Sequence, residues 1–580
     1  AVIKGIRQAT PSPRSQGDWS GAALVQLAFG IRRWGVNATT LWYDETFVLW
    51  HARQGVWAAL TGLLAEDNAL PLHGVLLALW IHLAGSSDFS VRFLSVLLGT
   101  FAAAPVYRLG RDLSRRRPAR GPLPGAGAAL AYALLPIFVY YGQEVRMYAP
   151  AIALAATFIL LGWRLLNRPR YALAYTITGG LMLAAHPYTV LTWMAVGLWG
   201  TLTLLLQRRL GTRAWWLANG GLLLVALPIA QWARWRVAVD ATGVSAIPRD
   251  VLRWIPLLFG VGQYVAQPWA MLFALSMVVF LLLGLRALFR REDRAGLLWA
   301  LIMLTLPLVA LYGMTRFKAK WNERYLLPSW GLGLVVTMGQ GIEALIRSMM
   351  PSDREQRPLI RHAQFLRLAG GAALALLTLA LVLLALARQA QGTWAIAIRD
   401  EWHPRPDFRS VARYITHHEQ PHDAIAVIGG YAIHNLTTYY TGTARVIGLP
   451  DERHILDTRH VVDLRSLSRL EARLGPSQRL WLILWQAQLA DPTNLVQSTL
   501  VDACTRLPVT QNFTNVGVLL FDLTDCRPVD RWATPPWPYV APFQVPIALR
   551  GYTIMRSGET WEVDLWWEAT GTLPDDYHVF

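Results

Sequence analysis

Apolar runs of about 20 residues, long enough to cross a bilayer as helices, recur along the first two thirds of this chain and constrain its fold more than any other feature. Residues 271–285 with their flanks and residues 369–387 are examples. A chain of 580 residues with 54% hydrophobic and 16% charged residues and a mean hydropathy of +0.31 is too apolar for a soluble globular protein. The formal net charge of +17 is spread through short loops between apolar runs rather than gathered in one basic domain or tail. It therefore reads as an orientation signal and not as a nucleic-acid interface.

Spans are expected at 19–36, 91–109, 123–141, 148–166, 171–185, 189–206, 214–231, 269–289, 297–314, 326–346 and 366–387. The run 72–84 is too short to cross and reads as an interfacial or re-entrant helix. The fold class is thus an α-helical polytopic membrane protein of about eleven transmembrane helices. Arginine-rich connections at 108–120, 164–170, 208–213, 286–294 and 347–367 alternate with poorer ones, so the positive-inside rule makes the former cytoplasmic. The outer connections are then the loop holding Asp44, the turns 143–147 and 186–188, and the loops 232–268 and 315–324.

Residues 1–18 form a polar leader without the apolar core of a signal peptide, expected in the cytoplasm. After the membrane part (19–388), residues 389–533 alternate strand-like runs (424–428, 480–485, 516–521) with charged helical stretches, as an α/β domain does. An odd number of spans puts that domain outside. The Pro-rich stretch 534–546 is expected to act as a semi-rigid spacer, and 547–580 as the start of a β-rich domain. The end at Phe580 without a closing strand, and the missing initiator Met, read as a partial chain. Cys504 and Cys526 either pair or stand as two separate buried thiols.

Chemistry concentrates at the outer ends of the spans. Asp44 and Glu45 are adjacent carboxylates at a membrane boundary, where acids are costly to insert; the two readings are an active site or ordinary solvated loop acids. Glu144 and Arg146 share the next outer turn, as an anion-fixing pair or as an ion pair capping the helix junction. The loop before the tenth span carries Lys318, Lys320 and Arg324 against the positive-inside bias. The chain's only other lysine is Lys4, so a phosphate or anionic lipid headgroups are the ligands that would offset this cost. His73, His186, Tyr188 and Tyr325 lie where they can line a substrate site. No histidine pair has zinc-ligand spacing and no Gly-rich phosphate loop occurs, so neither a structural metal nor a nucleotide-driven pump is expected.

The motifs Leu41-Trp42-Tyr43-Asp44-Glu45, Leu70-Pro71-Leu72-His73, Val91-Arg92-Phe93-Leu94-Ser95, Gln143-Glu144-Val145-Arg146-Met147-Tyr148 and Glu323-Arg324-Tyr325-Leu326-Leu327-Pro328, in this order, resemble the glycosyltransferase C superfamily. The branch of protein O-mannosyltransferases and lipid A aminoarabinose transferases is the most similar. The resemblance implies an integral membrane glycosyltransferase that moves a sugar from a polyprenyl-phosphate donor to a lipid, glycan or protein acceptor on the outer face of the plasma (inner) membrane. It implies Asp44 as base, Glu144 as a second acid, and Lys318, Lys320 and Arg324 around the donor phosphate; by their position in the sequence, Glu45 joins the catalytic candidates and Arg146 the donor-phosphate ones. The resemblance implies no nucleotide cofactor, and since some relatives use a divalent cation, such a cation stays an open alternative here. The first-loop helix departs from the family's double proline, having Leu70-Pro71. A transporter of lipid-linked sugars and a non-catalytic assembly subunit are the alternative functions.

Overall fold

A computed structural model describes residues 13–66, 70–113, 122–239, 255, 259, 269–291, 293–315, 322–349, 358–391, 405–452, 460–526, 537–542, 547–557 and 560–569. It divides into two compact units.

The first unit is helical and extends to Ser410, with His434–Tyr439 joined to it. Its helices are α1 (Pro13–Arg33), α2 (Tyr43–Arg53), α3 (Val56–Glu66), α4 (Leu72–Ala84), α5 (Asp88–Phe101), α6 (Ala103–Leu113), α7 (Leu123–Leu134), α8 (Pro136–Tyr141), α9 (Tyr148–Leu165), α10 (Ala172–Ala185), α11 (Val190–Leu206) and α12 (Arg213–Val239). Helices Trp269–Arg290, Arg294–Thr315, Leu332–Met349 and Pro358–Gln391 complete it.

A helix falls on each of the expected spans. Among the described residues, six helical stretches are long and apolar enough to cross a membrane: Asp88–Leu113, Tyr148–Leu165, Pro187–Leu206, Arg213–Arg236, Trp269–Arg290 and Arg294–Met314. Residues 123–141 divide into α7 and α8 at Leu135-Pro136, because proline lacks the amide needed to continue the helical ladder. The expected interfacial helix is α4, of 13 residues, about 20 Å at 1.5 Å per residue and so shorter than a bilayer core.

Local sequence sets the boundaries of the first loop. Gly55, at φ +105°, turns the chain between α2 and α3, and Gly85, at φ +76°, ends α4. Ser87 then starts α5 by accepting the Ser90 amide, with Asp88 favourably placed in the first turn. Elsewhere, small residues bring backbones together. A Cβ on Gly339 would lie 2.5 Å from the Ala128 amide nitrogen, and one on Gly341 only 2.0 Å from the Phe280 carbonyl oxygen. Helix Leu332–Met349 therefore packs backbone to backbone against both α7 and Trp269–Arg290, the small-residue contact that replaces hydrophobic driving force within lipid.

The second unit is α/β. Its five-stranded sheet has the order β2-β1-β3-β5-β4, with β1 (Asp423–Ile428), β2 (Arg445–Leu449) and β3 (Arg479–Leu484) parallel. Strand β5 (Gly517–Asp522) pairs antiparallel with β3, and the edge strand β4 (Thr505–Leu507) pairs antiparallel with β5. Every residue of β1 is buried, as a central strand covered on both faces requires. Cys504 and Cys526 are joined in a disulfide, one of the two alternatives the sequence left open. A separate antiparallel sheet holds β6 (Trp537–Pro542), β7 (Ile547–Ser557) and β8 (Thr560–Ala569). Strand β6 lies inside the stretch expected to be a spacer; it is an edge strand, where proline's missing amide costs no ladder hydrogen bond.

Candidate active site

Four distant parts of the helical unit converge on the start of α2. Asp44 and Glu45 are successive residues of its first turn, so their side chains leave the helix about 100° apart. They enter different environments.

Glu45 is wholly buried. Its Oε1 accepts from Arg92 Nε at 3.0 Å and from the Val145 amide at 3.0 Å. Its Oε2 accepts from Arg92 Nη2 at 2.8 Å, Arg405 Nη1 at 2.8 Å and the Trp42 amide at 3.3 Å. Burial pushes the Glu45 carboxyl up, but the Arg92 and Arg405 guanidiniums and the Val145 amide outweigh it and hold the pKa at about 2. Arg92 spends its remaining donors on the carbonyls of Val36 (3.0 Å), Thr39 (2.7 Å) and Thr40 (2.8 Å). The pair thus pins the chain leading into α2.

Asp44 is the more open acid, its side chain 21% exposed. Its Oδ2 lies 3.8 Å from Arg146 Nε and 3.8 Å from Arg324 Nη1. These distances give attraction but exceed hydrogen-bond range, so neither contact commits an Asp44 lone pair. Arg324 is further held by the rings of Tyr148 and Tyr325, its guanidinium carbon 5.3 and 5.9 Å from their centroids. Although burial disfavours its charge, the surrounding Tyr148, Tyr141 and Asp44 raise its pKa well above the usual arginine value.

Tyr325 stacks on Tyr188 at 4.1 Å with the planes 8° apart, and the buried His186 lies 5.7 Å from the Tyr325 ring and 5.5 Å from Tyr148. His186 Nδ1 accepts the Tyr188 amide at 3.2 Å, an arrangement fixed by Pro187 in the tight turn between α10 and α11. Burial first, then Arg324 and Arg146, lower its pKa to about 3, so the imidazole is neutral near pH 7. His73, at the start of α4, is likewise buried, and neither ring nitrogen has a hydrogen-bond partner among the described residues. Burial and Arg146 lower its pKa to about 3 against the opposing pull of Glu45.

Glu144 is buried in the turn between α8 and α9. Neither carboxylate oxygen has a hydrogen-bond partner among the described residues, and Oε1 lies 3.5 Å from Arg405 Nη2. Burial pushes its pKa up to about 7; Arg405 and Arg324 pull it down, and Glu45 and Asp44 push it further up.

Among the predicted site residues, Asp44, Arg146 and Arg324 meet directly, and His186, Tyr188 and Tyr325 form the aromatic wall beside Arg324. Glu45 and Glu144 are bridged by Arg405. Lys318 and Lys320 lie outside the described residues. Arg92 and Arg405 were not among the predicted site residues. Arg92 carries a readable signal, a lone charge at the head of an apolar run. Arg405 carries none: it follows the last apolar segment in an ordinary polar stretch and reaches a partner 360 positions away. Groups of three or more metal-ligating side chains are absent among the described residues.

Residues 67–232 match the family model of dolichyl-phosphate-mannose-protein mannosyltransferase. No curated protein matches the chain significantly in sequence. Among solved structures, ArnT from Cupriavidus metallidurans in the apo state superposes with a TM-score of 0.54 at 15% identity, over 87% of this chain and 98% of ArnT. The undecaprenyl phosphate-bound form of ArnT gives 0.53 at 14% identity, over 87% and 99%. The oligosaccharyltransferase AglB from Archaeoglobus fulgidus is more distant, at 0.47 and 11% over 85% of this chain and 74% of that one. The chain has the polytopic glycosyltransferase C fold, and with six long apolar helices among its described residues it is a multi-pass membrane protein.

Proposed function

We propose that this chain of glycosyltransferase C fold is a membrane glycosyltransferase that moves a sugar from a polyprenyl-phosphate donor to an acceptor outside the cytoplasm. The observation that carries the reading is Asp44, a part-exposed carboxylate poised between Arg146 and Arg324 and beside an aromatic wall. The fold shared with ArnT, one form of which binds undecaprenyl phosphate, supports it.

In this reading Asp44 takes the proton from the acceptor hydroxyl or amine as its lone pair attacks the anomeric carbon. The bond from that carbon to the phosphate oxygen breaks, and the phosphate leaves with the electron pair. Direct displacement inverts the anomeric centre. Arg324, Arg146, Lys318 and Lys320 neutralise the phosphate as its charge grows, and such preorganised charge is worth most where water is excluded. Tyr188 and Tyr325 offer stacking faces for a sugar, and neutral His186 and His73 offer hydrogen-bonding edges near its hydroxyls. A polyprenyl tail held between apolar helices adds about 0.8 kcal/mol per buried CH₂.

Glu45 has a different part. With five donors on its two oxygens it has no capacity left for substrate, and it is read as the residue that holds the first turn of α2 in place. Glu144, whose pKa lies at about 7, is the second acid. It exchanges protons readily near neutral pH.

The proposal includes about eleven spans, with the leader (1–18) cytoplasmic, the active site and the α/β domain (389–533) on the outer face of the inner membrane, and the β-rich end at 534–580. The sugar donor and a lipid, glycan or protein acceptor are the partners. No cofactor enters the scheme.

Binding of radiolabelled polyprenyl phosphate to the purified protein tests the donor half of the proposal. Saturable binding that weakens at least tenfold in Arg324→Gln supports it; binding equal in both proteins removes Arg324 from the donor site.

A further inference from the structure

The sequence placed every candidate side chain on the outer loops between spans, yet the structure brings in a group from beyond the last of them. Residues 405–409 lie along the first loop at three points. Thr40 Oγ1 donates to the Pro406 carbonyl at 2.9 Å, Arg405 binds Glu45, and Arg409 pairs with Asp88. Asp88 also accepts from Tyr439, whose hydroxyl takes the Leu41 amide at 2.8 Å. Arg405 occupies the centre of this clasp: Nη1 donates to Glu45 at 2.8 Å, while Nη2 donates to the Tyr140 hydroxyl at 3.0 Å and faces Glu144 Oε1 at 3.5 Å. Its guanidinium carbon lies 5.7 Å from the Trp42 ring centre and 5.3 Å from that of Tyr140.

From this geometry we infer that Arg405 is a positioning residue of the active site, tethering the base-bearing turn of α2 through Glu45 and governing when Glu144 holds a proton. Only a planar fork of donors serves both carboxylates and the tyrosine at once; a lysine ammonium keeps the charge but not this reach. Glu45 has Arg92 as a second cation, whereas the only cation within 4 Å of Glu144 shown among the described residues is Arg405. The other charged or titratable groups facing Glu144 are Glu45 and Asp44 on α2, Arg324 before Pro328, Tyr140 and Tyr141 on α8, and Tyr148 on α9. Five of these, the two carboxyls and the three phenols, become anions that oppose ionisation of Glu144, so loss of Arg405 removes its strongest ionic support. Burial already holds this carboxyl at about 7. An opposite charge this close shifts a carboxyl by about one to three pH units.

The inference rests on the proposed transferase, and its test therefore includes a measurement that needs no turnover. Difference infrared titration of the full-length protein follows the carboxylic C=O band that is absent in Glu144→Gln. In Arg405→Gln the midpoint of that band is expected to rise by at least one pH unit, whereas in Arg405→Lys it stays within about half a unit of wild type. Transfer from a polyprenyl-phosphate sugar should show the same ranking: its pH profile moves in Arg405→Gln, and kcat falls in Arg405→Lys with an unmoved profile and little change in donor KM. Unchanged Glu144 titration in a folded Arg405→Gln protein overturns the inference, as does an equal shift in the lysine variant. If wild type binds no donor and transfers no sugar while the infrared midpoint still moves, the transferase reading fails and the Arg405–Glu144 coupling stands.

Discussion

Breaking the Glu45–Arg92 pair tests the structural reading of the site at its most buried point. The side chains are 0% and 2% exposed, and Arg92 makes two bonds to Glu45 and three to backbone carbonyls. Truncating either partner leaves a desolvated charge, which costs about 3–5 kcal/mol. Glu45→Ala strands two guanidiniums, Arg92 and the less buried Arg405, and falls at the upper end. Arg92→Met strands Glu45 less severely, because Arg405 and the Val145 amide remain, and falls at the lower end. In the double variant neither Glu45 nor Arg92 remains as a stranded charge and only Arg405 has lost a partner, so the loss should be smaller than the sum of the singles by about 0.5–3 kcal/mol, the coupling characteristic of residues in one network. The assay is reversible unfolding of the purified protein by SDS titration in mixed micelles, with each variant compared at one detergent composition. Additive losses, or a Glu45→Ala cost below about 1 kcal/mol, the range of surface pairs, would refute the claim that this pair is a buried anchor.

Glu144 should make stability depend on pH. Its carboxyl sits at about 7 in the folded state against 4.5 unfolded, so stability is lost as pH rises from 4.5 through 7, by up to about 3 kcal/mol. Glu144→Gln should therefore gain on wild type between pH 4 and pH 8, measured as the difference in unfolding free energy at the two pH values; a flat difference would contradict the shift. Glu45 behaves in the reverse sense: with its pKa lowered to about 2, its contribution is complete above 4.5 and is lost as pH falls toward 2, which acid unfolding of Glu45→Gln against wild type would detect as a shallower loss. The Cys504–Cys526 bridge closes a separation of 22 residues, and Cys526→Ser should cost the α/β unit about 3 kcal/mol in the chain-entropy estimate. Limited proteolysis under non-reducing conditions reads that loss as faster cleavage within 411–526.

The helical architecture was legible because spanning a bilayer demands length and apolarity together, and both are properties of contiguous sequence. Asp44, Arg146 and Arg324 were legible for a related reason: polar groups at the ends of apolar runs are few, so the ones present stand out. The division of labour between Asp44 and Glu45 was not. As neighbours they look equivalent in sequence, and only the 100° step of the helix separates a part-exposed acid from a buried one. The break at Pro136 and the strand Trp537–Pro542 show proline acting by context, ending a helix in one place and tolerated at a sheet edge in the other. Arg405 stayed hidden because its meaning lies wholly in a tertiary contact with no sequence periodicity to announce it.

The most direct test of the account is transfer of labelled sugar from polyprenyl-phosphate donors to acceptors in a membrane extract, by wild type and by Asp44→Asn side by side. The account predicts transfer by wild type, a loss of about 10²–10⁴ in turnover in the variant, and donor binding retained in both. Label that never leaves the donor, or an Asp44→Asn protein as active as wild type, would contradict it.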